Sequence, residues 1–210
     1  MACQITVQHL LDISGRSRPT LPIDGLVRYL NATCPAYGID TPEQCAHFLA
    51  QACHETDRFA TLSEYASGEA YEGRGDLGNV EEGDGPRFKG RGIFQTTGRA
   101  NYRRLGQVRG EPDLFLAAPE LLQQPEYAVW SACEYWKEHG LGAIAARPDG
   151  DRLMRRLRRG GPPVALSPVE YISVVINGGT NGLEQRKLFY QRARTALAQA
   201  AAPAEAAGQA

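Results

Sequence analysis

The chain has 210 residues, a formal net charge of −1, 42% hydrophobic and 22% charged residues. That length fits one domain, or one domain with two lobes, and can bury a sizeable core. The near-zero charge excludes a global field toward nucleic acid or anionic lipid. Five cysteines, odd in number and without a CxxC, exclude a zinc ribbon or a disulfide framework.

Thr6 to Ile13 carries Val7, Leu10 and Leu11 at helical spacing, a short amphipathic helix. Ile23 to Tyr37 is a second, with its end at Gly38. Thr41-Pro42-Glu43-Gln44 is a strong helix start: Thr41 caps, Pro42 suits the first turn and Gln44 completes a capping box. Cys45, Phe48, Leu49, Ala52 and Cys53 then form one apolar stripe. Cys45 and Cys53 share a face but lie too far apart to bridge, and small buried hydrophobes is the reading for most of the cysteines. Glu55 falls ~80° off the stripe at ~100° per residue, on the border between core and cleft.

From Ser63 to Gly92 helical periodicity is lost among glycines and charges, and loops of that length carry function or disorder. Arg87 to Thr97 reads as a hairpin or two small strands. Helices return at Ala100–Leu105 and Glu126–His139, less regularly at Leu141–Leu157, then behind the capping box Ser167-Pro168-Val169-Glu170, and last at Leu183–Ala198. Residues 200–210 are Ala-rich and read as a frayed tail. The whole is a single domain over 1–210: mainly α, two helical lobes flanking a cleft, with a small β element beside it.

Two glutamates nine residues apart, Glu55 and Glu64, offer the paired carboxylates of glycoside hydrolysis. One must deliver a proton, and an apolar flank suits Glu55 to that; Glu64, at the start of the polar loop, suits the ionised role. Spacing alone does not select this over two unrelated surface acids. His54-Glu55 is no zinc helix, because HExxH would need histidine at Arg58. No metal and no cofactor are therefore expected. Gly90-Arg91-Gly92 matches no phosphate loop. Gln95, Thr96, Thr97 and Asn101 follow it with hydrogen-bonding groups, and Tyr71, Phe94 and Tyr102 offer aromatic faces, the materials of a saccharide site. The arginines from Arg152 to Arg159 read as a solvated helix face, or as attraction to an anionic polymer such as a cell wall. No aromatic motif interleaves them, so nucleic acid is not an expected partner.

FLAQACHETDRFATLSEY, DLGN (Asp76 to Asn79), GDG (Gly83 to Gly85), KGRGIFQTTGRANY and VINGGTNGLEQR, in that order between Ile39 and Arg194, resemble the family 19 glycoside hydrolases. The compact, loop-poor version found in bacterial chitinases and phage endolysins fits best. The resemblance implies a lysozyme-like fold and inverting hydrolysis of β-1,4 links between N-acetylated sugars. It places Glu55 as general acid, Glu64 as general base and Thr97 as the hydroxyl that helps hold the attacking water. Gln95, Asn101 and Asn177 match substrate-binding positions. Several larger chitinases have an acid four residues after the Asn of INGG, where this chain has Asn181. The cationic partner of Glu55 is left among Arg186, Arg192 and Arg194.

Peptidoglycan and chitin both fit these motifs. Peptidoglycan is the expected substrate. The N-terminus lacks the basic start and apolar run of a signal peptide, no separate chitin-binding module is evident, and the length is that of a stand-alone endolysin. No apolar run approaches the ~20 residues of a membrane span. The expectation is a monomer made in the cytoplasm that reaches the wall by holin-type release or another export route, including delivery as an antibacterial toxin. A chitinase, a lytic transglycosylase and a non-enzymatic wall-binding protein stay open as alternatives.

Overall fold

The computed structural model describes residues 3–20 and 23–199; the tail at 200–210 lies outside them. Helix α1 (Val7–Ser14) is capped by Thr6, which accepts from the His9 N–H while the His9 ring accepts from the Thr6 N–H. Helix α2 (Ile23–Thr33) runs into a 3-10 turn at Cys34–Tyr37, where Pro35 ends the α ladder, and Gly38 closes it in a left-handed conformation. Helix α3 (Pro42–Glu55) starts at the reciprocal Thr41/Gln44 cap. Every residue from Cys45 to Cys53 is buried, so α3 is a central helix rather than a one-faced one.

The stretch after α3 holds 3-10 turns at Glu69–Tyr71 and Gly75–Leu77 and a single helical turn, α4 (Asp84–Arg87). Then come α5 (Arg99–Arg109), α6 (Leu114–Ala117), a 3-10 turn at Pro119–Gln123, α7 (Pro125–Glu138) and α8 (Leu141–Ala145). An antiparallel hairpin of β1 (Leu153–Arg156) and β2 (Pro163–Leu166) leads to α9 (Pro168–Asn177), with its Ser167/Glu170 capping box, and to α10 (Leu183–Gln199).

The β element is therefore real but stands elsewhere than expected. Between Arg87 and Thr97 there are only isolated bridges of Arg91 to Ser63 and to Thr96. The arginine run is a strand and its turn, not a helix face. Leu153, Arg155 and Leu157 are half-buried and alternate with exposed Met154, Arg156 and Arg158, the period of a strand. Arg155 lies over the ring of Tyr171 on α9 and donates to its hydroxyl at 3.2 Å, which seats the hairpin on that helix.

Two cores divide the molecule. The larger gathers α1, α2, α3, α7, α9 and α10 around Phe48, Trp136, Leu30 and Phe189. The smaller holds Phe88, Tyr102, Leu105, Phe115 and Leu122, with Tyr127 and Trp130 of α7 packed against it. Helix α7 thus faces both. Cys34, Cys45, Cys53 and Cys133 are buried free thiols, Cys34 and Cys133 with their sulfurs 3.9 Å apart.

The loop before the small core is held by charge. Asp84 is 1% exposed and accepts from Arg99 Nε at 2.8 Å and Nη2 at 2.6 Å, and from the Val80 and Glu81 N–H groups at 3.0 Å each. Glu72 accepts from the Gly83 and Gly85 N–H groups at 2.7 Å. Hydrogen bonding to Arg99 holds the Asp84 carboxyl below the usual carboxylate range. Its contribution is therefore present above the ordinary aspartate value and is lost as pH falls through the lowered one. Asp84→Asn leaves Arg99 with Glu81, 2.5 Å away on the exposed side, as its charged partner and should cost about 1–3 kcal/mol, which for a chain of this size lowers the melting midpoint by roughly 2–12 °C. Calorimetry at neutral pH checks it, and an unchanged midpoint refutes the role.

Candidate active site

Glu55 is the last residue of α3 and its side chain is 20% exposed. Arg186 of α10, 1% exposed, donates from Nη2 to Glu55 Oε1 and from Nη1 to Gln51 Oε1 at 2.7 Å. Gln51 in turn donates to Ser173 Oγ of α9 at 3.0 Å. Of the three arginines considered as the cation for Glu55, Arg186 is the one that meets it. Arg192 reaches toward Ile13 and Arg194 pairs with Glu43 and Asp149. Asn181 is exposed and stands outside this network.

Arg186 reaches Glu55 because α10 begins tight against α3. Gly182 sits at φ +70°, and a Cβ there would lie 2.3 Å from the His54 ring. Only glycine lets the backbone come this close to His54, and Arg186 opens the next turn, bonding its N–H to the Gly182 carbonyl at 3.0 Å. Burial, then the nearby guanidinium, lower the His54 pKa. On the other side of Glu55 the chain leaves α3 through Asp57, Arg58 and Phe59, all at positive φ. Three such non-glycine residues in succession are costly, and strain of this kind persists where surrounding contacts enforce it. Here Thr56, buried, donates to the Ala52 carbonyl at 2.6 Å and accepts from the Phe59 N–H at 3.0 Å.

Glu64 is gripped at both oxygens. Oε1 accepts from the Tyr71 hydroxyl at 2.9 Å and Oε2 from the Gly90 N–H at 3.0 Å. Its own N–H donates to the Gly90 carbonyl at 2.9 Å, and Lys89 Nζ donates to the Glu64 carbonyl at 3.0 Å. Burial and the bond to Glu64 raise the Tyr71 hydroxyl above its ordinary pKa. A side chain at position 90 would strike Gln95 Oε1 at 2.8 Å and Glu64 Oε2 at 3.1 Å. Gly90 is thus a close-approach glycine whose backbone serves the carboxylate.

Gln95 (φ 49°) turns back to donate to the Gly92 carbonyl at 3.0 Å. Thr97 Oγ1 donates to the Gln95 carbonyl at 2.8 Å, and Asn101 Nδ2 donates to the Thr97 carbonyl at 2.7 Å. Glu64, Gly90, Gln95, Thr97 and Asn101 so form one connected wall. Phe94, next in the chain, packs edge-on to Tyr135, whose ring centroid is 5.7 Å away. The Tyr135 hydroxyl donates to the Val175 carbonyl of α9 at 3.2 Å, which ties the wall to that helix; burial, and secondarily the Glu55 charge, raise its pKa. Asn177 stands exposed at the end of α9.

Tyr102 does not join them. It is 0% exposed, its ring lies edge-on to Phe88, and its hydroxyl donates to the Lys89 carbonyl at 2.6 Å. A ring with no exposed face cannot stack on a sugar, so Tyr102 supports the wall from behind instead of binding substrate. Gln51, Gly90, Tyr135 and Gly182 were not singled out from sequence as parts of the site. Gln51 alone carried a signal, as a polar residue in the buried run from Cys45 to Cys53.

These elements define a lysozyme-like class: a mainly helical, two-cored fold with one glutamate at a helix end and another on an adjoining polar loop. Among solved structures, chitinase C from Streptomyces griseus HUT6037 matches with a TM-score of 0.63 at 18% identity over 94% of each chain. A bacterial family 19 chitinase matches with 0.58 at 17% identity, over 92% of this chain and 94% of that one. A class IV family 19 chitinase from Zea mays gives 0.52 at 19%, over 94% and 86%. No family model matches the chain. In sequence, a Haemophilus influenzae protein described as a glycosyl hydrolase family 19 domain-containing protein is 23% identical over 200 residues, covering 80% of this chain and 88% of that one. In both sequence and fold the chain resembles the family 19 glycoside hydrolases.

Proposed function

We propose that the chain is a glycoside hydrolase that cleaves β-1,4 links between N-acetylated amino sugars of peptidoglycan, with inversion. The observation that carries this is the different hold on the two glutamates. Glu55 is engaged through Oε1 by a buried guanidinium, and its side chain is 20% exposed. Glu64 accepts two hydrogen bonds, the hold that suits a base. Glu55 gives its proton to the glycosidic oxygen as the bond from C1 to that oxygen breaks. A water attacks C1 from the opposite face and loses its proton to Glu64. The Thr97 hydroxyl spends its own proton on the Gln95 carbonyl, so toward that water it acts as an acceptor. It can take one water hydrogen and leave the other for Glu64. The Asn101 amide spends a donor on the Thr97 carbonyl, which leaves its oxygen for a sugar hydroxyl. Gln95, Tyr71 and Asn177 complete the binding groups.

The hairpin favours peptidoglycan over chitin. Arg152, Arg156, Arg158 and Arg159 are exposed on an element seated against α9, the helix that ends in Asn177. Chitin is uncharged, whereas the lactyl-peptides of peptidoglycan carry carboxylates that exposed guanidinium groups pair with. Chitin is the second reading, favoured by the solved neighbours, which are chitinases by description. No described helix is long and apolar enough to cross a membrane; action on the wall as a monomer after release by a holin or another export route belongs to the same proposal. Digesting purified sacculi and chitin oligomers in parallel, with mass spectrometry of the products, separates the readings. Hydrated muropeptides are expected. Turnover of chitin alone overturns the peptidoglycan assignment, and anhydro-muropeptides overturn hydrolysis in favour of a transglycosylase.

A further inference from the structure

Helices α3 and α10 meet along a polar stripe. Glu43, His47, Gln51 and Glu55 recur every four residues on α3, facing Arg186, Tyr190 and Arg194 at the same spacing on α10. At the end remote from Glu55, Asp149 joins from the turn after α8. One ligand atom from each of Glu43, His47 and Asp149 lies within 4.8 Å of the other two.

His47 is what a salt-bridge network leaves unexplained. Its side chain has no exposure, neither ring nitrogen has a hydrogen-bond partner, and Nε2 points at Glu43 Oε1 from 3.7 Å. Leaving a buried polar group unpaired is costly. In its neutral form a buried imidazole keeps a lone pair on one ring nitrogen and can offer it to a cation. The Tyr190 hydroxyl, stacked by its ring on His47, stands between Glu43 and Asp149 and has one proton for two carboxylates. Arg194 supplies the present counter-charge, with Nε 3.3 Å from Glu43 and Nη1 2.5 Å from Asp149, and its side chain is 49% exposed. A hollow of about 300 Å³, lined by Glu43, Arg147, Pro148, Asp149 and Arg194, lies beside the two carboxylates.

We propose that Glu43, His47 and Asp149 form a binding site for a zinc-class divalent metal ion, which clamps the turn after α8 onto α3. Two carboxylates and a neutral imidazole suit a zinc ion with water in its fourth position. Magnesium and calcium prefer all-oxygen shells and have no use for the imidazole. Arg194 and the ion compete for the same carboxylates. Residue order does not reveal this site, because Asp149 comes from a distant turn and no second histidine stands at ligand spacing from His47.

The test uses the full chain stripped with EDTA, titrated with zinc chloride by calorimetry and followed by thermal melting. One equivalent of zinc per chain is expected, and the midpoint should rise by about 5 °C at a hundredfold excess over Kd. Asp149→Asn, on an exposed turn, and His47→Gln should each weaken binding tenfold or more. Arg194→Ala should tighten it several-fold, an effect that a purely structural ion-pair network does not produce. Zinc held by exposed His139 would survive Asp149→Asn, so unchanged affinity in that variant overturns the proposal. So do the absence of binding at one equivalent, weaker binding in Arg194→Ala, and an equal response to magnesium or calcium.

Discussion

Glu55→Gln is expected to lower turnover by about 1,000-fold or more, within or above the range that general acid–base groups contribute, while the chain still folds. The amide oxygen can keep the bond from Arg186, so the link between α3 and α10 survives. What is lost is a transferable proton at the end of α3. The amide is a neutral stand-in for the protonated acid, so Arg186 keeps an equivalent acceptor and stability should change by less than about 1 kcal/mol. Turnover on the preferred glycan, measured beside a melting curve, separates the two effects. A variant with near-wild-type turnover removes Glu55 from the chemistry, whatever its melting point.

Glu64→Gln is expected to lower turnover by about 100- to 10,000-fold. Its amide can keep the bond from the Gly90 N–H through its oxygen, and the Tyr71 hydroxyl can rotate to accept from the new NH₂ group. The wall therefore stays in place while the group that takes the proton from water is gone. The wild-type enzyme gives a second readout. If water attacks from the face opposite the leaving group, cleavage of a β link yields the α anomer first, visible by NMR before mutarotation. A product that retains the β configuration would show double displacement instead of direct attack by water, and Glu64 would lose the role of base for a single inverting step even if the variant were inactive.

Much of this was legible in the residues. Thr41, Pro42 and Gln44 announce the start of α3, and Ser167 with Glu170 announces α9, because capping chemistry is local. Glu55 does lie at the border of the core, though because α3 ends there after a run buried on every side rather than through its angle from an apolar stripe. What failed depended on non-local contacts or on the choice of period. The run from Leu153 to Leu157 reads as helix because its leucines are four apart and arginine favours helices. The strand forms because Gly160, Gly161 and Pro162 turn the chain and Arg155 docks on Tyr171. Tyr102 was grouped with the polar wall by its aromatic ring, although its three-residue spacing from Leu105 puts both on the buried face of α5. Arg186 was one of three arginines near the end of the chain. Only the tertiary packing of α10, set by Gly182 against His54, chooses it.

The stripe between α3 and α10 also fixes how far along one another the helices can slide. Apolar helix faces tolerate a shift by one turn, because one leucine resembles the next. Here a slip of four residues one way brings Tyr190 to Glu55 and drives Arg194 onto the His47 ring. A slip the other way brings Gly182 to Glu55 and drives Arg186 onto that same ring. Either error sets a guanidinium against a buried neutral imidazole and strips Glu55 of its cation, a penalty of several kcal/mol. The residues that pair with Glu55 thus double as the notches that leave α3 and α10 a single alignment.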